Sequence, residues 1–233
     1  MLTVGEKASY YDSLTINSPI TMTADEGVTV GQINVTASDV TVKGINFKDD
    51  NPTGILGAIE VSDVDNLTIQ DNHFDGYMQP IHIAARNATL DNLQILGNTF
   101  VNTVQMAIYL ETEGSNVLVR GNTFDTIAQI RGVDSNKRAG NVQYIGNVWN
   151  LSIRDGADYN GNAIMAMDIN GLTIDGNIMA VTYDDNSSDG GRLLLSKVAL
   201  TISLSLRILF QELAMVSACP VRSGIWLTVT TIM

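Results

Sequence analysis

A chain of 233 residues with 13 Lys and Arg against 25 Asp and Glu carries a formal charge of −12. That balance argues against nucleic acid or an anionic membrane as the main partner, and the length fits one elongated domain. A single cysteine, Cys219, excludes an internal disulfide framework.

Met1 to Ser9 lacks the basic start and apolar stretch of a secretory signal. Residues 14–35 hold four short runs, Leu14-Thr15-Ile16, Ile20-Thr21-Met22, Val28-Thr29-Val30 and Ile33-Asn34-Val35. Their alternation reads as one or two irregular opening coils of strand. Asp39-Val40-Thr41-Val42-Lys43-Gly44-Ile45-Asn46-Phe47 then introduces a phrase that the chain goes on repeating. Asp49-Asp50-Asn51-Pro52-Thr53-Gly54 reads as a turn-rich solvated loop. Its acids are where calcium could be held; no other cofactor and no dedicated metal site is expected.

The phrase returns as Asn66-Leu67-Thr68-Ile69-Gln70-Asp71-Asn72-His73-Phe74 and as Asn92-Leu93-Gln94-Ile95-Leu96-Gly97-Asn98-Thr99-Phe100. It recurs from Asn116 to Phe124, from Asn141 to Trp149 and from Gly171 to Met179. The anchors Val40, Leu67, Leu93, Val117, Val142 and Leu172 lie 27, 26, 24, 25 and 30 residues apart. A near-constant period in this range signals stacked repeats. Each phrase has a short alternating run, then Gly or Asp, then Asn, then an aromatic or large apolar residue. The run is too short for a helix, and Gly, Asp or Asn tolerates the positive φ of a tight bend. Ahead of each anchor stands a second triplet: Ile59-Glu60-Val61, Ile81-His82-Ile83, Ile108-Tyr109-Leu110, Ile130-Arg131-Gly132 and Ile164-Met165-Ala166.

One such coil cannot bury its apolar side, whereas a stack can. Stacking predicts a column of Asn72, Asn98, Asn122, Asn147 and Asn177 inside one bend, each amide satisfying backbone groups of its neighbours. Phe47, Phe74, Phe100, Phe124, Trp149 and Met179 should form an apolar column beside it. A β-sandwich of short strands gives no reason for Gly-Asn-x-Phe at this period.

The Asn-Leu-Thr-Ile-x-x-Asn-x-Phe phrases, over about residues 28 to 182, resemble the right-handed parallel β-helix of the pectin-lyase-like superfamily. Ser9-Tyr10-Tyr11-Asp12-Ser13-Leu14-Thr15-Ile16 looks like an early segment of such proteins. The resemblance implies an all-β solenoid of about seven coils over residues 14–185, roughly 35 Å long by the interstrand spacing. It also implies an extracellular or cell-surface location and an acidic polysaccharide as partner. The family holds lyases, hydrolases, esterases, epimerases, phage tailspikes and adhesins, so it sets fold more firmly than activity.

A break falls near Gly190-Gly191, dividing a β-helix domain (1–191) from an atypical apolar tail (192–233). Residues 1–191 hold 9 Lys and Arg against 24 Asp and Glu, a balance of −15; residues 192–233 hold 4 against 1, a balance of +3. The tail reads as a cap, as a segment that pairs with another chain, or as sequence foreign to the fold, such as a shifted reading frame. The abrupt loss of Asn and Asp favours the last. Lys197 and Arg207 interrupt it as a membrane span.

Chemistry is expected on the triplet strand. If its flanking apolar residues point inward, Glu60, His82, Tyr109 and Arg131, then Met165, point outward on successive coils. Arg86, Lys137, Arg138 and Arg154 lie in adjoining connections, so five of the nine basic residues before the break border one face. A positive groove on a negative body suits an anionic ligand such as a polyuronate. Removing the proton beside a uronate carboxylate needs a cation, a base and an acid. Arg131, His82 and Tyr109 are the candidates, with Glu60 orienting His82 and the four loop cations binding substrate. Ordinary exposed strand residues are the competing reading of the same positions. Glycoside hydrolysis needs two suitably spaced carboxyl groups. Asp184-Asp185 has no matching acid on this face, and the polygalacturonase, pectate lyase and pectin methylesterase motifs are absent, as is the Asp-Pro-His-Asp motif of mannuronan epimerases, of which Gln79-Pro80-Ile81-His82 is a faint echo. The remaining alternative is a non-catalytic carbohydrate-binding or structural β-helix, such as an adhesin or phage fibre module.

Overall fold

The computed structural model describes residues 1–4, 10–49, 57–83, 89–103, 105–111, 113–126, 131–135, 139–153, 162–167, 169–183, 192–196, 199–200, 205–211 and 227–230. These residues form strands and no helix, and every pairing between strands is parallel. The chain is a parallel β-helix. Among the described residues no helix is long and apolar enough to cross a membrane.

The pairings fall into three series, one for each side of the coil. Sheet A runs through Tyr10–Ile16, Thr29–Val35, Ile59–Val61, Ile81–Ile83, Met106–Leu110, Arg131–Ser135 and Asn162–Met167. Sheet B runs through Thr21–Ala24, Thr41–Lys43, Thr68–Gln70, Gln94–Leu96, Gly114–Arg120, Ala139–Ile145 and the first half of Asn170–Tyr183. Sheet C runs through Asn46–Lys48, His73–Asp75, Thr99–Val101, Thr123–Thr126, Val148–Ile153 and the second half of Asn170–Tyr183. One circuit passes from C to A to B.

Two corners carry the repeat. Between B and C, Gly44, Asp71, Gly97, Gly121, Gly146 and Gly176 all take positive φ, from 53° to 66°. This is the left-handed conformation that glycine tolerates and short polar side chains can adopt. The next residue turns inward. Asn72, Asn98, Asn122, Asn147 and Asn177 are each at most 2% exposed. Each side-chain amide from Asn72 to Asn147 donates to the Oδ1 of the next, at 3.0, 3.0, 3.0 and 2.9 Å. The same Nδ2 groups donate to the carbonyls of Val42, Ile69, Ile95 and Val119. Each Oδ1 also accepts a backbone N–H, beginning with Ile45 to Asn72 at 2.9 Å. The corner thereby satisfies backbone groups that no sheet could pair.

These inward amides do not adopt positive φ themselves, contrary to the expectation that Asn would share that role with Asp71. Apart from Asn102, which has φ of 53° between C and A, the left-handed asparagines stand at the other corner, between A and B. There Asp39, Asn66, Asn92, Asn116 and Asn141 have φ of 59°, 56°, 61°, 61° and 51°, and Gly171 follows at 83°. Their side chains form a second, exposed ladder, each Nδ2 donating to the Oδ1 of the preceding coil at 2.7, 2.8, 3.2 and 2.8 Å.

The apolar column stands beside the inner ladder. Phe47, Phe74, Phe100, Phe124 and Trp149 stack in sequence at centroid separations of 4.9 Å, with rings within 10° of parallel. Met179 is the register partner of Trp149 on the next coil. All five rings are fully buried, and each contributes about 1.5–3 kcal/mol by leaving water. Facing them are Ile59, Ile81 and Ile108 of sheet A and Ile69, Ile95 and Val119 of sheet B, all fully buried.

Beyond residue 191, Arg192–Ser196 and Leu227–Thr230 extend sheet A, Ala199–Leu200 extends sheet B and Ser205–Gln211 extends sheet C, all in parallel register. The Asp50-Asn51 part of the loop considered for calcium, and the Asp184-Asp185 pair, lie outside the described residues.

Candidate functional site

Sheet A positions the chemistry because three of its strands carry an inward–outward–inward triplet at matching register. Ile59 and Val61, Ile81 and Ile83, and Ile108 and Leu110 are buried, while Glu60, His82 and Tyr109 between them are half-buried and outward. Backbone register aligns Glu60 with His82 and His82 with Tyr109. On the N-terminal side the column continues to Asn34, whose Nδ2 donates to Ser13 Oγ at 3.3 Å.

Side chains on adjacent strands are within direct reach of one another. His82 Nδ1 lies 2.5 Å from Glu60 Oε2, with 15% and 27% of the two side chains exposed. An ionised carboxylate can only accept, so beside an ionised Glu60 the hydrogen in this bond sits on Nδ1, and the neutral imidazole then carries its lone pair on Nε2. Tyr109 stacks on the other side of the imidazole, with centroids 5.4 Å apart and ring planes 17° from parallel. Its hydroxyl donates to Glu111 Oε2 at 2.6 Å. Two couples therefore stand side by side: an imidazole held by one carboxylate and a phenol held by another.

The rim on the N-terminal side of these strands is amide-rich. Gln32 Nε2 donates to the Gly57 carbonyl at 3.0 Å, and Gln79 Nε2 donates to Gln105 Oε1 at 2.9 Å. Gln79 is 8% exposed, and its Oε1 has no hydrogen-bond partner among the described residues. Gly57 keeps this wall open. A methyl group there would stand 2.8 Å from Glu60 Oε1 and 2.9 Å from His82 Cβ, closer than unstrained contact permits.

Arg131 sits elsewhere along the strand than its sequence neighbours imply. Its register partner is Met106, and Tyr109 pairs instead with Asp134, which in turn pairs with Met165. The backbone register column therefore runs Glu60, His82, Tyr109, Asp134, Met165. The reason is visible in the spacing. Leu110 and Ser135 each precede the next anchor, Val117 or Val142, by seven residues. Counting from Ile130, as an apolar triplet invites, misplaces the strand by three positions. Arg86, Lys137, Arg138 and Arg154 lie outside the described residues.

Sequence reasoning missed Glu111 and Gly57. Parity alone reaches Glu111, since Leu110 faces inward and both its neighbours must face out. Nothing in the sequence marks Gly57, whose role rests on the approach of a neighbouring coil. Among the described residues no group of three or more His, Cys, Asp or Glu side chains is placed to share a metal ion. Comparison of the chain with models of known families, with curated proteins and with solved structures finds no match.

Proposed function

We propose that this chain is a pectin-lyase-like β-helix, acting outside the cell, that removes the proton beside the carboxylate of a uronate in an acidic polysaccharide, in a lyase or epimerase reaction. The half-buried Glu60–His82–Tyr109 cluster on one sheet face is the observation that carries this reading. His82 Nε2 serves as the base, with Glu60 fixing the tautomer. Tyr109 supplies the acid, and Glu111 orients its hydroxyl. Such proton transfers typically contribute about 10²–10⁴-fold each.

The substrate carboxylate needs a cation to stabilise the charge that develops as the proton leaves. Arg131 fills that role in this reading, with Arg86, Lys137, Arg138 and Arg154 binding neighbouring sugars. Its register with Met106 sets it three positions, or about 10 Å along the strand, from the Tyr109 level.

The test is incubation of the full chain with alginate, pectate and glycosaminoglycans, following ultraviolet absorbance of the unsaturated uronate and proton exchange at C5. Activity that falls by about 10²-fold or more in both His82→Ala and Tyr109→Phe supports the reading. Binding with neither product nor exchange assigns the chain to the non-catalytic carbohydrate-binding modules instead.

A further inference from the structure

We infer that the site eliminates with syn geometry, so that its substrates are uronates whose C5 hydrogen and C4 oxygen lie on the same face of the sugar. This rests on the uronate reading above and narrows it to a lyase for mannuronate- or glucuronate-type chains.

The argument is steric. His82 and Tyr109 project from the same side of the same sheet, on adjacent strands, with ring centroids 5.4 Å apart and planes 17° from parallel. A base and an acid acting on opposite faces of a pyranose must hold that sugar between them. Carbon–carbon contact needs about 3.5–4.0 Å on each side, so a sugar between the rings requires a separation of about 7–8 Å. The gap is too narrow. Glu60 holds His82 from the far side and Glu111 holds the Tyr109 hydroxyl, so each ring is tied to a separate carboxylate. A sugar that reaches both groups then lies across the two ring edges and presents one face to them.

The bond changes follow directly. The C5 proton passes to His82 Nε2, and the C5–H electron pair becomes the second bond of C4=C5. The C4–O bond breaks with its pair on oxygen, which takes the Tyr109 phenol proton once the hydroxyl has turned from Glu111 Oε2 to the leaving oxygen. Transfer of a proton from imidazolium to phenolate, directly or through water, restores the resting pair. In 1,4-linked mannuronate and glucuronate the leaving oxygen and H5 share a face. In guluronate, iduronate and galacturonate they are opposed. Epimerisation at C5 meets the same obstacle, because the returning proton must arrive on the face opposite to the one it left.

The experiment gives the full chain four polymers: polymannuronate, a glucuronan, polyguluronate and polygalacturonate. Each reaction is followed by absorbance of the unsaturated product and by proton NMR in deuterium oxide. Cleavage of the first two at least about tenfold faster than the last two, without deuterium in unreacted residues of inverted configuration, is the expected result. Faster cleavage of polyguluronate or polygalacturonate, or inversion with deuterium at C5, overturns the syn assignment while leaving the uronate chemistry in place. Inertness toward all four polymers overturns both.

Discussion

The side-chain oxygen of Asn122 accepts two hydrogen bonds from Asn98, 24 positions earlier, one from the backbone N–H at 2.8 Å and one from Nδ2 at 3.0 Å. Asn122 in turn donates to the Ile95 carbonyl at 2.9 Å and to Asn147 Oδ1 at 3.0 Å. Replacing it with alanine strands donors and acceptors on the two flanking coils in a site with no access to water. Each abandoned group costs about 1–3 kcal/mol, so Asn122→Ala should lower stability by about 3 kcal/mol or more. Urea unfolding with circular dichroism measures this, and a loss below about 1 kcal/mol would mean that the ladder is incidental.

The outer ladder should behave differently although its geometry is similar. Asn92 is exposed, and its bonds to neighbouring coils compete with water. Its conformational demand is real, because φ is 61°. Asn92→Ala is expected to cost about 1 kcal/mol, chiefly from backbone strain, and Asn92→Gly less than that. Equal losses in the two variants would show that the side-chain bonds, not the backbone, matter here.

In the aromatic column, Phe100→Ala opens a void between Phe74 and Phe124 and should cost about 3–5 kcal/mol. Trp149 holds an indole Nε1–H that is buried without a partner among the described residues. Trp149→Phe removes that unsatisfied donor and continues the column in kind. The relief offsets lost volume, so the change is expected within about 1 kcal/mol of neutral. A loss approaching that of Phe100→Ala would assign the indole N–H a partner of its own.

Gly57→Ala probes the site from its wall. The added methyl overlaps Glu60 Oε1 and crowds His82 Cβ. Overpacking of this kind typically costs about 1–3 kcal/mol, and here Glu60 or His82 must move to relieve it. Turnover in the uronate assay that tests the proposed function should fall at least about tenfold, while circular dichroism retains the strand signature. Unchanged kcat would mean that the Glu60–His82 contact does not govern the reaction.

The parts of the molecule legible in the sequence are those governed by period. Asn98 and Asn122, or Phe100 and Phe124, occupy equivalent places one coil apart, so identical residues meet and the pairing is readable from spacing. The outer ladder was written in the same phrases, in Asn66, Asn92, Asn116 and Asn141. A left-handed corner and a hydrogen-bonded column ask for the same residue type, however, and spacing alone does not separate the two demands. Arg131 shows the opposite difficulty. Apolar alternation around Ile130 resembled a strand, whereas the distance to the following anchor fixed Asp134 opposite Tyr109. Gly57 and Glu111 act through contacts between unlike residues, which a repeat does not announce.

Every rung of the inner ladder points the same way, from the amide of one coil to the oxygen of the next. A stack of interchangeable rungs has no unique middle. Excision of residues 98–121 would join Gly97 to Asn122 and set Asn72 against Asn122, with donors and acceptors matched as before. The shortened fibre would keep its architecture and lose Tyr109 and Glu111 together. Inheritance can thus lengthen or trim such a protein by whole windings at little structural cost, while a column assembled from one unlike side chain per winding changes with every such edit.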